Sequence, residues 1–325
     1  MSKENEKLTI EYVGALLGHT GFVTSIVVGK DSNNKPLVVS GSRDKKIIVW
    51  KLDLEKGINA DENMRNNEDK VVGSAYKTLT GHNHFVSGLS ISGNSSHLLS
   101  CSWDKTLRLW DLNTFKSINL ISTHTKDVLC ASFINDDRMI VSGSMDKTLK
   151  NHNIKGELKI EKKDFNGWVS SITPIKQEKQ SLLAVSSWEG HVKLYNPDFE
   201  LVNSIEDYDY GVVSTATDAE GEYLISAEKN GKIRVHALNG NDPQHKSNIE
   251  VNADINSISY ESKYFFVIFI ATSKGLIIQE ISKDNKVLFQ ENYGPCQCLA
   301  WDESKTYLFA GFADGAIRVF KLKTE

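Results

Sequence analysis

The sequence contains little cysteine, little proline and no long apolar run. Only 4 of its 325 residues are cysteine and 5 are proline. The longest apolar candidate, YFFVIFIA at 264–271, has the length of a buried strand and is too short for a transmembrane helix. The N-terminal stretch MSKENEK is polar and lacks the apolar region of a secretory signal. We therefore expect a cytoplasmic protein with reduced thiols and no membrane insertion.

The usual sequence signatures of catalysis are also missing. The chain has no phosphate-binding Gly-Lys-Ser/Thr loop, no His-Glu-x-x-His pair and no Gly-x-Ser-x-Gly elbow. Cys296 and Cys298 form a C-x-C pair, but no second Cys/His pair stands at ligand spacing. We interpret them as core thiols and predict no metal site. The sequence favours a protein that is not an enzyme and has neither a cofactor nor a small-molecule substrate.

The sequence does contain a repeated unit. LLSCSWDKTLRLWDL (98–112) alternates like two strands on either side of an Asp-Lys turn, and VVSGSRDKKIIVWKL (38–52) and IVSGSMDKTLKNHNI (140–154) repeat it. Each stretch is preceded by a His that is followed four residues later by Val. This spacing from Gly-His to Trp-Asp is typical of the four-stranded blades of β-propellers.

The residue types of the unit predict a buried hydrogen-bond network. An Asp in the turn accepts from the loop His, and a strand Ser bridges that His to the Trp indole N–H. His, Ser and Asp also resemble a hydrolase triad, but we interpret them as structural. The residues assigned to this network are His19, Asp44, Trp50, His82, Ser100, Asp104, Trp110, His124, Ser142, Asp146 and Asp314.

Weaker units follow in the second half of the chain. They are SSWEGHVKLY (186–195, with Glu189 and Tyr195), SAEKNGKIRVH (226–236, with Asn230 and His236), IATSKGLIIQEI (270–281, without signature residues) and AGFADGAIRVF (310–320, with Asp314 and Phe320). The last unit lacks residues for an outer strand, and LTIEYVGAL (8–16) alternates well enough to supply it. The sequence therefore predicts an all-β, seven-bladed propeller spanning 1–325 as a single domain, with the ring closed by the N-terminal strand in the last blade.

Two features depart from the repeat. Residues 54–75 are polar and Asn-rich, which predicts a long loop insertion in the first blade; a role in binding partners stays open. Residues 1–163 carry 23 Lys/Arg against 19 Asp/Glu, whereas residues 164–325 carry 15 against 23. One flank of the ring is then basic and the other acidic, which suits docking on a polyanion, although ordinary variation in surface charge also explains it.

The units resemble WD repeats. Their amino-acid sequences resemble those of the receptor for activated C kinase family, the Gβ-like WD-repeat protein of the small ribosomal subunit. The resemblance covers essentially the whole chain in unbroken order. The matching stretches are GHTGFVTSI with SGSRDKKIIVW, LTGHNHFVSGLSIS with SCSWDKTLRLWDL, THTKDVLCASF with VSGSMDKTLK, WVSSI, and CQCLAW with LFAGFADGAIRVF.

This resemblance implies a non-enzymatic scaffold on the head of the 40S ribosomal subunit, bound through 18S rRNA and ribosomal proteins. It would link kinases of the protein kinase C type and other signalling proteins to translation. In that family the Ser-Arg-Asp-Lys turn of the first blade faces the RNA, which corresponds here to Arg43 and Lys45. Weaker rRNA-binding candidates in the same sector are Lys46, Lys77, Lys105 and Lys116.

The resemblance also implies a kinase-docking segment, KDVLCASF (126–133), with Lys126, Asp127 and Val128 as its candidate contacts. Much of that segment must be core strand. An alternative function is a soluble WD-repeat adaptor of another complex, such as a ligase substrate receptor or a G-protein β-like subunit. A third hypothesis is an enzyme built on a propeller, which the absence of the catalytic motifs named above disfavours.

Overall fold

The computed structural model describes residues 8–31, 33–54, 70–178, 180–239, 242–261, 267–281 and 285–324. Within these ranges the chain forms 28 strands in seven four-stranded antiparallel sheets. The same residues contain no helix with the length and apolar character needed to cross a membrane. The predicted all-β, seven-bladed architecture is confirmed.

The strands are, in chain order, β1 Leu8–Leu16, β2 Val23–Lys30, β3 Pro36–Ser42, β4 Ile47–Leu52, β5 Gly73–Leu79, β6 Val86–Ile91, β7 His97–Ser102, β8 Leu107–Asp111, β9 Lys116–Ile121, β10 Val128–Ile134, β11 Met139–Ser144, β12 Leu149–Asn153, β13 Leu158–Lys162, β14 Val169–Lys176, β15 Ser181–Ser187, β16 His191–Tyr195, β17 Leu201–Ile205, β18 Val212–Thr217, β19 Tyr223–Glu228, β20 Lys232–Asn239, β21 Asp242–Glu250, β22 Ile255–Glu261, β23 Val267–Thr272, β24 Leu276–Glu280, β25 Val287–Glu291, β26 Cys296–Trp301, β27 Tyr307–Phe312 and β28 Ile317–Thr324. Blade 1 is β2–β5, and each following group of four strands is the next blade up to blade 6, β22–β25. Blade 7 is β26–β28 completed by β1.

The ring is closed at two levels. The innermost strands contact one another in sequence around the channel, and β26 of blade 7 contacts β2 of blade 1. At the rim, β1 pairs antiparallel with β28, so that Leu8 lies opposite Thr324 and Leu16 opposite Ile317. The N-terminal strand therefore occupies the sheet edge that blade 7 would otherwise expose, as the sequence predicts.

Each hydrophobic core lies between two neighbouring blades. Trp50 of blade 1 packs in one cluster with Phe309 of blade 7, and Val39 of blade 1 packs with Trp110 of blade 2. The middle strands are apolar on both faces because each sheet is covered on both sides, as in Leu98–Leu99. A single blade buries its apolar faces only within the ring.

The predicted insertion at 54–75 lies mostly outside the described residues, since 55–69 are not described. Its last residues are not loop: Gly73 begins β5. Before that, Ala15 of β1 donates its N–H to Lys70 and accepts from Val72. A Cβ on Gly14 would overlap the carbonyl oxygen of Lys70, so glycine permits this close approach.

Two faces of the ring are distinguished by their turns. The turns between the second and third strands of the blades, such as 42–46 and 102–106, lie on one face, here named the turn face. The loops that precede each innermost strand lie on the same face because neighbouring strands are antiparallel. The turns between third and fourth strands lie on the opposite face.

Candidate functional site

Blade 1 contains the predicted hydrogen-bond chain. His19 Nδ1 lies 2.8 Å from Asp44 Oδ2 and its Nε2 lies 2.8 Å from Ser40 Oγ. The Trp50 indole donates to the same hydroxyl at 2.7 Å. If His19 carries its proton on Nδ1, it donates to the Asp44 carboxylate and its Nε2 accepts from Ser40. The four side chains of this network then each have a hydrogen-bond partner. The network joins a loop, a turn and two strands.

Blade 2 repeats these contacts through His82, Ser100, Asp104 and Trp110, with distances of 2.8 to 2.9 Å. The carboxylate of Asp104 also accepts from the backbone of Asn83. Burial opposes ionisation of Asp104, but hydrogen bonds from His82 and Thr106 outweigh it and lower the pKa of this carboxyl. The carboxylate is therefore ionised at neutral pH.

Blade 3 keeps the first half of the network and changes the second. His124 bonds Asp146 at 2.9 Å and Ser142 at 2.8 Å. His152 stands at the Trp position and contacts Thr123 Oγ1 at 2.8 Å instead of the serine. Burial, with the nearby charges of His124 and Lys150, lowers the pKa of His152 to about 4. A buried neutral imidazole thus replaces the indole.

The His-Ser-Asp contacts have the connectivity of a hydrolase triad but not its access. Ser40, Ser100 and Ser142 are each 0% exposed. In blades 1 and 2 the hydroxyl oxygen already accepts from tryptophan. A substrate carbonyl has no route to these oxygens, and the geometry fits a structural role.

Blade 7 does not build this network around Asp314. The carboxylate instead pairs with Arg318 at 2.8 Å and accepts from the backbone of Ala316. Phe320 occupies the Trp position and packs on Tyr12 of the N-terminal strand. The prediction that Asp314 belongs to a His-linked network is wrong, because this blade carries no histidine in the loop before β26.

Three exposed lysines on the turn face share an unusual backbone conformation. Lys45, Lys105 and Lys147 follow the turn Asp of blades 1, 2 and 3, with φ of 70°, 72° and 67°. Left-handed φ is costly for residues other than glycine. The corresponding position is glycine in three other blades, as Gly190, Gly231 and Gly315. Lys147 was not among the rRNA-binding candidates named from the sequence. Its place in the repeated Asp-Lys turn could have identified it.

Arg43 lines the mouth of the central channel next to blade 2. Its guanidinium lies 4.4 Å from the centroid of the Phe22 ring and 5.5 Å from that of Phe85. The position is repeated around the ring, because the backbone N–H at each site bonds the loop of the same blade. The equivalent residues are Arg43, Trp103, Met145, Trp188, Lys229, Ser273 and Ala313.

Aromatic side chains dominate one part of this mouth. Trp168 and Trp188 are 39% and 42% exposed, with ring centroids 5.5 Å apart, and the neighbouring Tyr210 is 58% exposed. The cavity below has a volume of about 250 Å³ and includes Phe85 and Trp103 in its lining. Exposed aromatics of this kind are typical of interaction surfaces.

The remaining basic candidates divide by location. Lys46 is exposed beside Lys45 in the blade 1 turn. Lys77 and Lys116 are exposed on β5 and β9, the outer strands of blades 1 and 2. Lys77 lies near the Phe115 ring, which precedes Lys116. These two lysines therefore belong to the rim and not to the turn face.

Val128 is corrected as a kinase-docking contact. It is fully buried at the start of β10, so its side chain packs against other apolar residues of blades 2 and 3. The carbonyls of Lys126 and Asp127 accept the hydroxyl of Ser144. Only the side chains of Lys126, exposed, and Asp127, half-buried, are accessible.

Blade 5 contains a network that the sequence pattern did not reveal. Tyr208 occupies the His position and its hydroxyl lies 2.6 Å from Ser226 Oγ. The buried acid is Glu228, two residues before the expected Asn230, and it accepts from Arg234 Nε at 3.0 Å. Its other oxygen accepts backbone N–H groups of the loop, including that of Tyr210. The available signal was a Glu at the position where blades 1 to 4 have Ser.

The cysteines are buried in or beside strands. Cys101, Cys296 and Cys298 are buried, and Cys130 is half-buried. Burial raises the pKa of the Cys101 thiol to about 12. The thiol of Cys298 donates to the carbonyl of Val23 across the junction of blades 7 and 1. These thiols serve packing.

Comparison with known proteins agrees with this fold. The family described as WD domain, G-beta repeat matches residues 10–51, 73–111, 115–153 and 284–321, which lie mainly in blades 1, 2, 3 and 7. The small ribosomal subunit protein RACK1 of Caenorhabditis elegans is 34% identical, over 99% of this chain and 98% of that protein.

Two further relatives have similar coverage. The protein of the same name from Drosophila melanogaster is 33% identical, over 97% of this chain and 98% of its own length. The cross-pathway control WD-repeat protein 2 of Flammulina velutipes is 32% identical, over 96% and 97%. The chain belongs to the RACK1 family of WD-repeat proteins.

Proposed function

We propose that the protein is a non-enzymatic scaffold of the small ribosomal subunit, docked through the turn face of blades 1 to 3. Relatives that match nearly the full chain are named small ribosomal subunit proteins. The observation that carries the proposal is the set of exposed lysines, Lys45, Lys105 and Lys147, at equivalent strained positions of three consecutive blades. Strain retained where glycine would relieve it favours a function for the side chain.

The charge distribution supports a polyanionic partner. Residues 1–163, which include blades 1 to 3, carry a net charge of +4, whereas residues 164–325 carry −8. The proposed interface is therefore the basic sector of a protein that is acidic overall. Such a dipolar arrangement steers one flank toward rRNA and holds the opposite flank away.

The basic residues have different proposed roles. Lys45, Lys46, Lys105 and Lys147 are exposed and suit contacts to phosphate oxygens of 18S rRNA. Arg43 is held between two aromatic rings, which leaves its planar N–H groups available for a bidentate phosphate contact at the channel mouth. Lys77 and Lys116 lie at the rim and would contact ribosomal proteins or RNA only at the edge of the interface.

The test is cosedimentation of the purified protein with small ribosomal subunits at increasing salt. R43D with K45E is expected to weaken binding by at least 10-fold and to reduce the salt dependence, because phosphate contacts are lost. The triple variant K45G, K105G and K147G removes charge while relieving the left-handed strain. It should fold at least as stably as the wild type and still bind more weakly.

The matched control is K176E, which changes an exposed lysine at the end of β14 in blade 4. It should cosediment like the wild type. Equal binding by the wild type and the triple glycine variant would contradict the proposal, since the fold would then be intact and the charge irrelevant.

The scaffold role extends to signalling partners. We propose that kinases of the protein kinase C type bind the side chains of Lys126 and Asp127, which lie on the turn face of blade 3 beside the proposed ribosomal interface. A ribosome-bound scaffold of this kind works in the cytoplasm. A pull-down of a purified kinase of this type by the free protein and by the ribosome-bound protein, each compared with K126E and D127K together, tests this contact.

A soluble WD-repeat adaptor is the second candidate. The exposed cluster of Trp168, Trp188 and Tyr210 favours it, because exposed indoles are typical of protein-binding surfaces. The double variant W168A and W188A should then abolish capture of a protein partner while leaving ribosome cosedimentation unchanged. Loss of cosedimentation in this variant would instead assign the aromatic cluster to the ribosomal interface.

A further inference from the structure

Blades 3 and 4 show what replaces the indole contact when the Trp position changes. In blade 3, His152 Nε2 contacts the hydroxyl of Thr123 at 2.8 Å. In blade 4, Tyr195 donates its hydroxyl to Asp164 Oδ2 at 3.0 Å. In both cases the replacing residue bonds the side chain that precedes the His position of the repeat. A direct hydrogen bond therefore joins the replacing residue to this side chain in both blades, although His152 Nδ1 has no hydrogen-bond partner among the described residues.

The equivalent pair in blade 5 is not joined in this way. His236 Nε2 lies 3.8 Å from Asp207 Oδ2, which is beyond normal hydrogen-bond distance. His236 is 2% exposed, and its Nδ1 has no hydrogen-bond partner among the described residues. Buried polar atoms almost always have hydrogen-bond partners, so the Nδ1 atom of His236 is available to bind another ligand.

A third ligand-bearing side chain lies beside this pair. His245 on β21 is directly opposite His236 on β20, and the two ring centroids are 5.4 Å apart. One donor atom from each of Asp207, His236 and His245 lies within 4.8 Å of the others. The corresponding outer-strand residues of the preceding blades are Ala75, Ser117, Leu158 and Leu201. The second histidine is therefore a specific feature of blade 5 among these blades.

The charges around the cluster favour a cation. Asp209 Oδ2 lies 3.2 Å from Arg234 and 2.7 Å from Lys232, and Glu228 pairs with the same arginine at 3.0 Å. Asp207 Oδ2 lies 3.3 Å from Arg234 Nη1. Three carboxylates thus face two basic side chains, which leaves negative charge at the cluster and orients Asp207 through the arginine.

We infer that Asp207, His236 and His245 form a binding site for a divalent transition metal of the zinc class. Two imidazoles and one carboxylate are a preferred donor set for zinc, with water as the fourth ligand. Asp207 lies in the exposed loop between β17 and β18, and His245 is exposed on the outer strand. Both can move by the small distance needed to close on an ion next to the buried His236. A bound ion would fasten this loop to the β20–β21 hairpin.

The experiment uses the purified full-length protein after treatment with a chelator, titrated with Zn²⁺ alone and Co²⁺ alone. We expect one ion per chain, a visible Co²⁺ absorption band of tetrahedral type, and no competition from Mg²⁺. H245A and D207N change exposed side chains, so they should fold normally by circular dichroism. Each should weaken Zn²⁺ binding by at least 10-fold and remove the rise in Tm that Zn²⁺ produces in the wild type.

H84A is the matched control, because His84 is an exposed histidine of blade 2 outside the cluster. It should bind Zn²⁺ like the wild type. Failure of the wild type to bind one Zn²⁺ per chain would overturn the inference. Equal Zn²⁺ affinity of H245A, D207N and H84A would overturn it as well, since binding would then occur elsewhere.

Discussion

Blade 2 and blade 5 hold a loop, a turn and a strand together with different side chains. In blade 2 the chain runs through His82, Ser100 and Trp110, with Asp104 on the loop side. In blade 5 a tyrosine replaces the histidine on the serine, and Glu228 with Arg234 replaces the Asp-His pair. The strand pairing is nevertheless the same, with a register shift at the start of the innermost strand in both.

The repeat therefore constrains the geometry of the blade more than the identity of its residues. The strand serine is kept at Ser100 and Ser226, while the acid moves by two residues along the chain. A buried carboxylate needs donors, and both blades supply them from a side chain and from backbone N–H groups of the loop. The blade survives when each polar group finds a partner.

The largest effect should come from breaking the ring that both blades share. Deletion of residues 1–16 removes β1, exposes the edge of β28 and takes away the buried Ala15 and Leu16. We expect loss of cooperative unfolding, with faster amide hydrogen exchange in blades 2 and 5 alike. Exchange that increases only in blades 1 and 7 would mean that the blades unfold independently.

H82A should be the strongest single substitution in this comparison. It removes the histidine donor of the half-buried Asp104 and the nearest acceptor of the Ser100 hydroxyl. We expect a decrease of about 2–3 kcal/mol in the free energy of unfolding, measured by chemical denaturation, because Asp104 keeps its donors from Asn83 and Thr106. A change as small as that of the exposed H84A would show that the network contributes little.

His152 of blade 3 should make the free energy of unfolding depend on pH. The pKa of His152 is about 4 in the folded protein, whereas an ordinary histidine has about 6.5. Below pH 6.5 the unfolded chain takes up a proton that the folded chain does not, so stability falls as the pH falls toward 4. The loss is about 1 kcal/mol for each pH unit in this window.

H152W should remove this part of the pH dependence, because it restores the indole of blades 1 and 2 beside Ser142. The measurement is Tm between pH 7 and 5 for the wild type, H152W and the exposed control H84Q. The pKa values of Asp44, Asp104 and Asp146 are lowered by folding, so these carboxylates stabilise the protein at neutral pH. That contribution is lost only below about pH 4, outside the range measured between pH 7 and 5. An unchanged slope in H152W would contradict the prediction.

Y208F should have the smallest effect and sharpens the contrast with H82A. It removes one hydroxyl that bonds Ser226 and leaves no charge unpaired, since Glu228 keeps Arg234. We expect a loss of about 1 kcal/mol in the free energy of unfolding. A loss as large as that of H82A would show that blade 5 depends on Tyr208 as blade 2 depends on its histidine.

Much of this was readable from the chain because the repeat is local. His19, His82 and His124 stand at fixed spacing from their Asp and Ser partners, and hydrogen bonds at that spacing follow from the blade itself. The prediction for Asp314 was wrong because blade 7 has the turn sequence without the loop histidine. Glu228 was missed because it lies at the end of β19, two residues before the turn position that carries the Asp in blades 1 to 3.

The number of blades and the strand order follow from the amino-acid sequence alone, because alternation and repeat length are local patterns. The ring closure by β1 follows from the outer strand that the last repeat lacks. Which side chains from different repeats and strands become neighbours depends on the folded ring. It stacked Arg43 between Phe22 and Phe85 and buried Val128. It also brought Asp207, His236 and His245 together across 39 residues of chain. Such contacts depend on strand register and ring curvature, which no local pattern encodes.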